Sequence, residues 1–235
     1  MPVPWLDEAD PFPPVETALR EPNGLLAVGA DLSPRRLIDA YSRGIFPWFS
    51  EDDPLLWWSP DPRMVLWLSE LHLSRSLKRT LRSGRYTVTL DAAFNDVITA
   101  CAGPRRDDDG TWITAEMIDA YLRLAGLGHA HSVETWLDGR LVGGLYGVTV
   151  GRMFFGESMF SSSDDSSKVA IVHLVRQLTR WGFECIDCQM STSHLASLGA
   201  REMPRAEFVT HVGRLVRQTA VPSPWRLEPD VLAGL

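Results

Sequence analysis

The sequence predicts an α+β protein with a small N-terminal unit over residues 1–62 and a larger unit over 63–235 built on a mixed, largely antiparallel sheet. Three observations carry this. Residues before 63 are rich in Pro, Trp and Gly, whereas from Arg63 onward helical and strand patterns alternate. Three β-rich runs between His129 and Phe160 are separated by two turn signals, Asp138-Gly139 and Val150-Gly151-Arg152, which reads as an antiparallel meander. An apolar helix at Lys168–Trp181 then leads into a strand at Phe183–Met190.

In chain order, the first clear element is a helix at Ser33–Arg43, with Asp31 or Ser33 to cap it, Pro34 suited to its first turn and Gly44 to end it. The stretch GIFPWFSEDDPLLWWSPDPR, residues 44–63, holds three Trp, two Phe and four Pro, too many prolines for a long helix or a central strand. It is expected to be irregular and stiff. Either it plugs two parts of the core together, or it presents rings to a ligand with little entropy left to lose. Strands around Val65–Trp67 and Tyr86–Leu90 flank a helix over 71–83. There Leu73, Leu77 and Leu81 form one stripe, with Arg75, Lys78, Arg79 and Arg82 opposite. A helix at Ala92–Cys101, a polar loop GPRRDDDG and a helix from the cap Thr114 to about Ala125 precede the meander. After the helix and strand that follow it, a last helix at Arg205–Thr219 leads to a Pro-containing tail. Helix, hairpin meander, helix, strand is the order of a mixed α+β acyltransferase-like core.

With 45% hydrophobic and 23% charged residues in 235, the chain has a globular composition. Its formal net charge of −7 argues against broad binding along nucleic acid. Between Arg63 and Arg85, however, six Arg or Lys face one acid, Glu70, so the 71–83 helix is either a solvated face or a phosphate-binding one. The N-terminus lacks a signal-peptide pattern and no run of about 18 apolar residues occurs, so neither export nor a membrane span is expected. Three cysteines make no disulfide framework, which fits the cytoplasm.

The strand CIDCQ, 185–189, is the sharpest chemical feature. Alternation puts Asp187 and Gln189 on one face and Ile186 and Cys188 on the other. A carboxylate and an amide in an apolar strand are costly to bury unless satisfied or used. They are either a structural hydrogen-bond pair or a device that orients an amine and accepts its proton. Cys185 and Cys188 fall on opposite faces with no second pair, so no metal is expected. His129 and His131 read as packed or solvated, and His194 as polar surface. Glu157, in FFGESMF, either faces solvent from an edge or is an inward acid reading a hydroxyl, the second favoured by its central strand, with Gly156 marking a bulge or a close ligand approach. Trp112, in GTWIT, reads as core. The helix after the meander is entered through SSSDDSSK, whose acids would repel a pyrophosphate, so coenzyme A is not expected.

Taken in order, REPNGLLAVGADLSPRRLIDAYSRGIFPWFSEDDPLLWWSPDPR, GTWIT, LGHAHSVETW, GGLYGV, GESMFS, SKVA, IDCQ and HLASLGARE resemble the leucyl/phenylalanyl-tRNA–protein transferase family, from about Phe12 to Arg205. The resemblance implies a small N-terminal α/β domain joined to a GNAT-like domain that uses no coenzyme A or other cofactor. It implies a cytoplasmic monomer that moves Leu or Phe, and sometimes Met, from aminoacyl-tRNA to the N-terminal Arg or Lys of a protein, marking it for N-end-rule degradation. By position it makes Asp187 and Gln189 the catalytic pair. Trp48 and Trp112 hold the 3′-terminal adenosine and Glu157 fixes that nucleotide. Phe154, Leu145, Ile171, Leu174 and Ile186 form the side-chain pocket, and Arg75, Lys78, Arg79 and Arg82 meet the tRNA acceptor stem. Ser162 and Asp165 depart from the Arg and Asn common in the family. Two alternatives stand beside this reading: a GNAT-type acetyltransferase, and a non-catalytic module that sequesters aminoacyl-tRNA.

Overall fold

Two sheets divide the chain between Trp58 and Arg63 in the computed structural model, which describes residues 3–103 and 113–234. The first has four strands in the order β1 (Trp5–Leu6), β2 (Leu25–Gly29), β4 (Leu56–Trp58), β3 (Phe46–Pro47). Helix α1 (Pro34–Ser42) packs beside it, the Ser33 hydroxyl accepting the backbone N–H of Arg36. The aromatic 44–63 stretch is therefore less irregular than its prolines suggest. Phe46 pairs with Trp58 and Pro47 with Trp57. The missing N–H of Pro47 is tolerated because β3 lies at the sheet edge. Strands of two and three residues carry no legible alternation.

The second sheet has seven strands in the order β11 (Arg201–Met203), β5 (Arg63–Trp67), β10 (Cys185–Gln189), β9 (Met153–Ser161), β8 (Arg140–Val150), β7 (Ala130–Leu137), β6 (Thr87–Leu90). All neighbours are antiparallel except β9 and β10. The meander β7–β8–β9 lies where the turn signals placed it. Helices α2 (Arg75–Arg82), α3 (Phe94–Cys101), α4 (Ala115–Gly126), α5 (Ser166–Arg180) and α7 (Arg205–Leu215) match expected helices, each trimmed or shifted by a few residues. The short α6 (Ser193–Ser197) and β11 were not legible. The polar loop after α3 lies mostly outside the described residues, as does Trp112.

One apolar cluster joins the two units: Tyr41, Phe46 and Trp57 from the first share it with Val148, Phe155 and Phe208 from the second. Trp57 is fully buried there, its Nε1 donating to the Gly29 carbonyl at 2.9 Å, so this ring is core. Trp48 is 40% exposed and meets Trp58 edge-on at 5.6 Å. The aromatic segment thus plugs the core with Trp57 and leaves Trp48 partly exposed.

Candidate active site

The parallel pair β9–β10 is the structural origin of the site. Its register runs only over Ile186↔Phe154 and Asp187↔Phe155, and beyond that the strands part. A cavity of about 740 Å³ lies there. Both strands are irregular at this point. Against β8, Tyr146 faces Ser158 and Gly147 faces Gly156, so Glu157 is the extra residue of a bulge. Against β5, Asp187 faces Val65 and Gln189 faces Met64, and Gln189 has φ +59°. A bulge re-aims the side chain that follows it. The two bulges bring Gln189 Nε2 to 2.9 Å from Glu157 Oε1, to which it donates.

Plain alternation along CIDCQ is therefore broken. Ile186, Cys188 and Gln189 line the cavity, and Asp187 does not. The Asp187 carboxylate is wholly buried, taking Arg63 Nε on Oδ1 at 2.8 Å and Arg63 Nη2 on Oδ2 at 2.7 Å. Oδ1 also accepts the backbone N–H of Gln189 at 2.8 Å. Asp187 thus reaches the cavity only through Gln189. With Nε2 committed to Glu157, the Gln189 amide oxygen is the acceptor left for a ligand.

Glu157 is held by three donors. Tyr41 from α1 donates to Oε1 at 2.7 Å, Tyr121 from α4 to Oε2 at 2.9 Å, and Gln189 completes the set. The two tyrosine hydroxyls also touch each other, but with both protons given to Glu157 neither is left to bridge them. Of roughly four acceptor sites on a carboxylate, about one remains for a further donor. Burial pushes the Glu157 carboxyl up to about 7, outweighing its hydrogen bonds. Burial and the neighbouring Glu157 charge raise both tyrosines well above their ordinary value.

The Glu157 shift carries a sign. An unfolded glutamate, ordinarily at 4.5, loses its proton before the folded one at about 7, so the folded state holds the extra proton in between. Stability falls as pH rises through that window, by roughly 3 kcal/mol in all. Denaturation midpoints of the wild type and Glu157→Gln, followed from about pH 4.5 to about pH 7.5, are expected to diverge, with the wild type losing ground as pH rises. Parallel curves would rule out the shift.

All five expected pocket residues line the cavity: Leu145 on β8, Phe154 on β9, Ile171 and Leu174 one turn apart on α5, and Ile186 on β10. Trp48 and Phe46 line it from the first unit. Met159, Phe160 and Leu195 extend the apolar wall and were not anticipated. Gly156 lies on that wall, where an added Cβ would meet the Asp187 carbonyl at 3.3 Å.

His194, expected as polar surface, lines the cavity with Nε2 buried and unpartnered among the described residues. Burial and nearby Lys168 hold this imidazole below its ordinary value. Cys185 packs toward Met153 while Cys188 faces the cavity, so the two thiols share no site. His131 is buried, bonded to Asp91 and stacked on Trp225 at 3.6 Å, which makes it a packing residue.

Helix α2 lies on α5 with Leu77 buried. Arg75, Lys78, Arg79 and Arg82 are exposed, and their side chains have no ion-pair or hydrogen-bond partner among the described residues. The Ser/Asp loop is tied to this helix: Thr80 donates to Asp165 Oδ2 at 2.9 Å, and Asp165 pairs with Lys168 at 3.4 Å. The acid at 165 is thus balanced by a lysine in the first turn of α5.

An apolar pocket closing on a clamped carboxylate and amide, between parting central strands, has the make-up of an enzyme site for a ligand with an apolar side chain and a polar end. The comparisons with known proteins sharpen that class. The family model described as leucyl/phenylalanyl-tRNA protein transferase matches residues 65–213, and the one for its N-terminal domain matches 30–61. A leucyl/phenylalanyl-tRNA–protein transferase of Nitrosospira multiformis is 65% identical over 214 residues, covering 91% of this chain and 92% of that one. The protein of the same name from Laribacter hongkongensis is 59% identical over 222 residues, covering 94% and 95%. Among solved structures, L-PGS from Bacillus licheniformis aligns at TM-score 0.37 and 11% identity, over 68% of this chain and 52% of that one, too distant to carry an argument. The chain belongs to the leucyl/phenylalanyl-tRNA–protein transferase family and is an aminoacyltransferase. Among the described residues, no helix is long and apolar enough to cross a membrane.

Proposed function

We propose that this enzyme transfers Leu or Phe, with Met as a further donor that lacks a β-branch, from aminoacyl-tRNA to the N-terminal Arg or Lys of acceptor proteins by peptide-bond formation. The product then carries an N-end-rule degradation signal. The observation that carries the reading is the pocket of Leu145, Phe154, Ile171, Leu174 and Ile186, whose polar end is the Glu157–Gln189 contact. An apolar side chain seated there sets its α-carbonyl toward the amide. A β-branched side chain is opposed only by shape, worth about 1–3 kcal/mol.

The donor ester is already activated, so the reaction needs a neutral acceptor amine placed against the ester carbonyl, and no cofactor. Gln189 Oε1 accepts a hydrogen bond from that amine and aims its lone pair at the carbonyl carbon. The C–N bond forms, the C–O bond to the ribose breaks, and the amine proton leaves by way of the departing 3′-oxygen. Asp187 and Gln189 remain the catalytic pair of this reading, but Asp187 acts by holding Gln189. Its charge is balanced by Arg63, so Glu157 is the carboxylate on the cavity wall that favours a basic acceptor.

Trp48, on the exposed rim, holds the 3′-adenosine together with Trp112, and Glu157 offers its remaining acceptor site to that nucleotide. Arg75, Lys78, Arg79 and Arg82 meet the acceptor stem; their lack of acidic partners supports this. The GNAT-like character of the 63–235 unit belongs to the same proposal, supported by the parting of β9 and β10 around the site. Residues 1–62 supply the aromatic wall, and the enzyme is read as a cytoplasmic monomer.

The test is transfer of labelled Leu or Phe from tRNA to an Arg-initial peptide, with an Ala-initial peptide as control, without ATP or coenzyme A. Label on the Arg peptide alone is expected. Bound tRNA with no transfer would favour a sequestering module, and acetyl transfer a GNAT-type acetyltransferase. In the same assay Trp48→Ala is expected to weaken donor affinity by about 1–3 kcal/mol, the worth of one lost stack. An unchanged donor KM would remove Trp48 from the adenosine site.

A further inference from the structure

Arg63 is the first residue of β5, wholly buried, and not part of the cavity wall. Its guanidinium lies between two rings, 4.6 Å from the centroid of Phe46 and 4.7 Å from that of Phe208. Facing it, Asp187 takes both ends of the fork, through Nε and Nη2. A planar cation gripped by a bidentate carboxylate and two π faces has no soft direction left. The remaining nitrogen, Nη1, has no hydrogen-bond partner among the described residues, so a desolvation cost is carried there without return to stability. A hydrophobic pair of the same volume would serve packing as well or better.

What the pair does hold lies two residues on. Asp187 Oδ1 receives the backbone N–H of Gln189, and Gln189 has φ +59°. A non-glycine residue in that region persists only when its surroundings over-determine it. Were the Asp187 carboxylate free to rotate, Oδ1 would leave the Gln189 N–H and the amide would lose its aim. We propose that Arg63 is a positioning residue for aminoacyl transfer: by locking the Asp187 carboxylate, it holds Gln189 in the left-handed conformation that presents its amide to the cavity. This rests on the reading of Gln189 as the group that contacts the acceptor amine. Lysine is a poor substitute, because a point charge leaves the carboxylate free to turn.

The test is a double-mutant cycle on transfer kinetics with Arg63→Lys, Gln189→Ala and the double variant, and Val212→Ala as a core-destabilised control. Arg63→Lys is expected to lower kcat about 10²-fold, with donor and acceptor KM within about 3-fold. In the Gln189→Ala background the same change is expected to cost no more than about 3-fold. Val212→Ala is expected to lower the melting temperature and keep kcat. Full additivity in the double variant, wild-type kcat in Arg63→Lys, or a matching kcat loss in Val212→Ala would overturn the proposal and leave a structural role only. Wild-type kcat in Gln189→Ala would overturn the reading of the site, and the proposal with it. If Arg63→Lys does not fold, Phe208→Leu removes one ring and no charge. An about 10-fold lower kcat that vanishes on Gln189→Ala supports the proposal, and an unchanged kcat overturns it.

Discussion

Asp187→Ala is expected to destabilise the protein by about 3–5 kcal/mol, a large part of the stability of an ordinary domain. The cause is Arg63. With the carboxylate gone, a guanidinium at 0% exposure keeps its charge with no counter-ion, and two aromatic faces repay only part of its lost hydration. Chemical denaturation should show the loss as a lower midpoint with an unchanged m-value. Replacing both partners, as in Arg63→Met with Asp187→Leu, is expected to recover most of the stability and none of the transfer activity. A double variant as active as wild type would show that the pair serves the fold alone.

Gln189→Ala is expected to lower kcat about 10²–10³-fold, with donor KM changed by less than about 3-fold. In the proposed mechanism the amide contacts the amine as the bond forms, whereas donor affinity is assigned to the apolar pocket, the adenosine stack and the basic helix. Steady-state kinetics with separately varied tRNA and peptide would resolve the two. A rise in donor KM at constant kcat would recast Gln189 as a ground-state binding group.

The five pocket positions came from the family resemblance, since Ile171 and Leu174 look like any apolar pair on a helix, and Leu145, Phe154 and Ile186 like any apolar strand residues. What the residues themselves announced is local. Gly156 announced a bulge, and the bulge carries Glu157. The Asp187 partner was not readable. Arg63 lies 124 positions away, and within the sequence it looked like one more member of the basic patch. Tyr41 and Tyr121 were hidden in the same way, as ordinary members of amphipathic helices until the fold brought both hydroxyls to one carboxylate. The second bulge had no signal, since neither Cys188 nor Gln189 marks a left-handed position. Alternation therefore placed Asp187 and Gln189 together on one face, when only Gln189 reaches the cavity.

The aromatic cage around Arg63 sets a schedule for the chain as it is made. Phe46 is synthesised early, Asp187 much later, and Phe208 only as α7 emerges. Until that helix has left the ribosome, the guanidinium has one ring and no second wall, and Gln189 has nothing rigid behind it. Translation thus completes the surroundings of Arg63 only after Gln189 itself has been made, so the geometry of the amide is among the last features of the chain to be fixed.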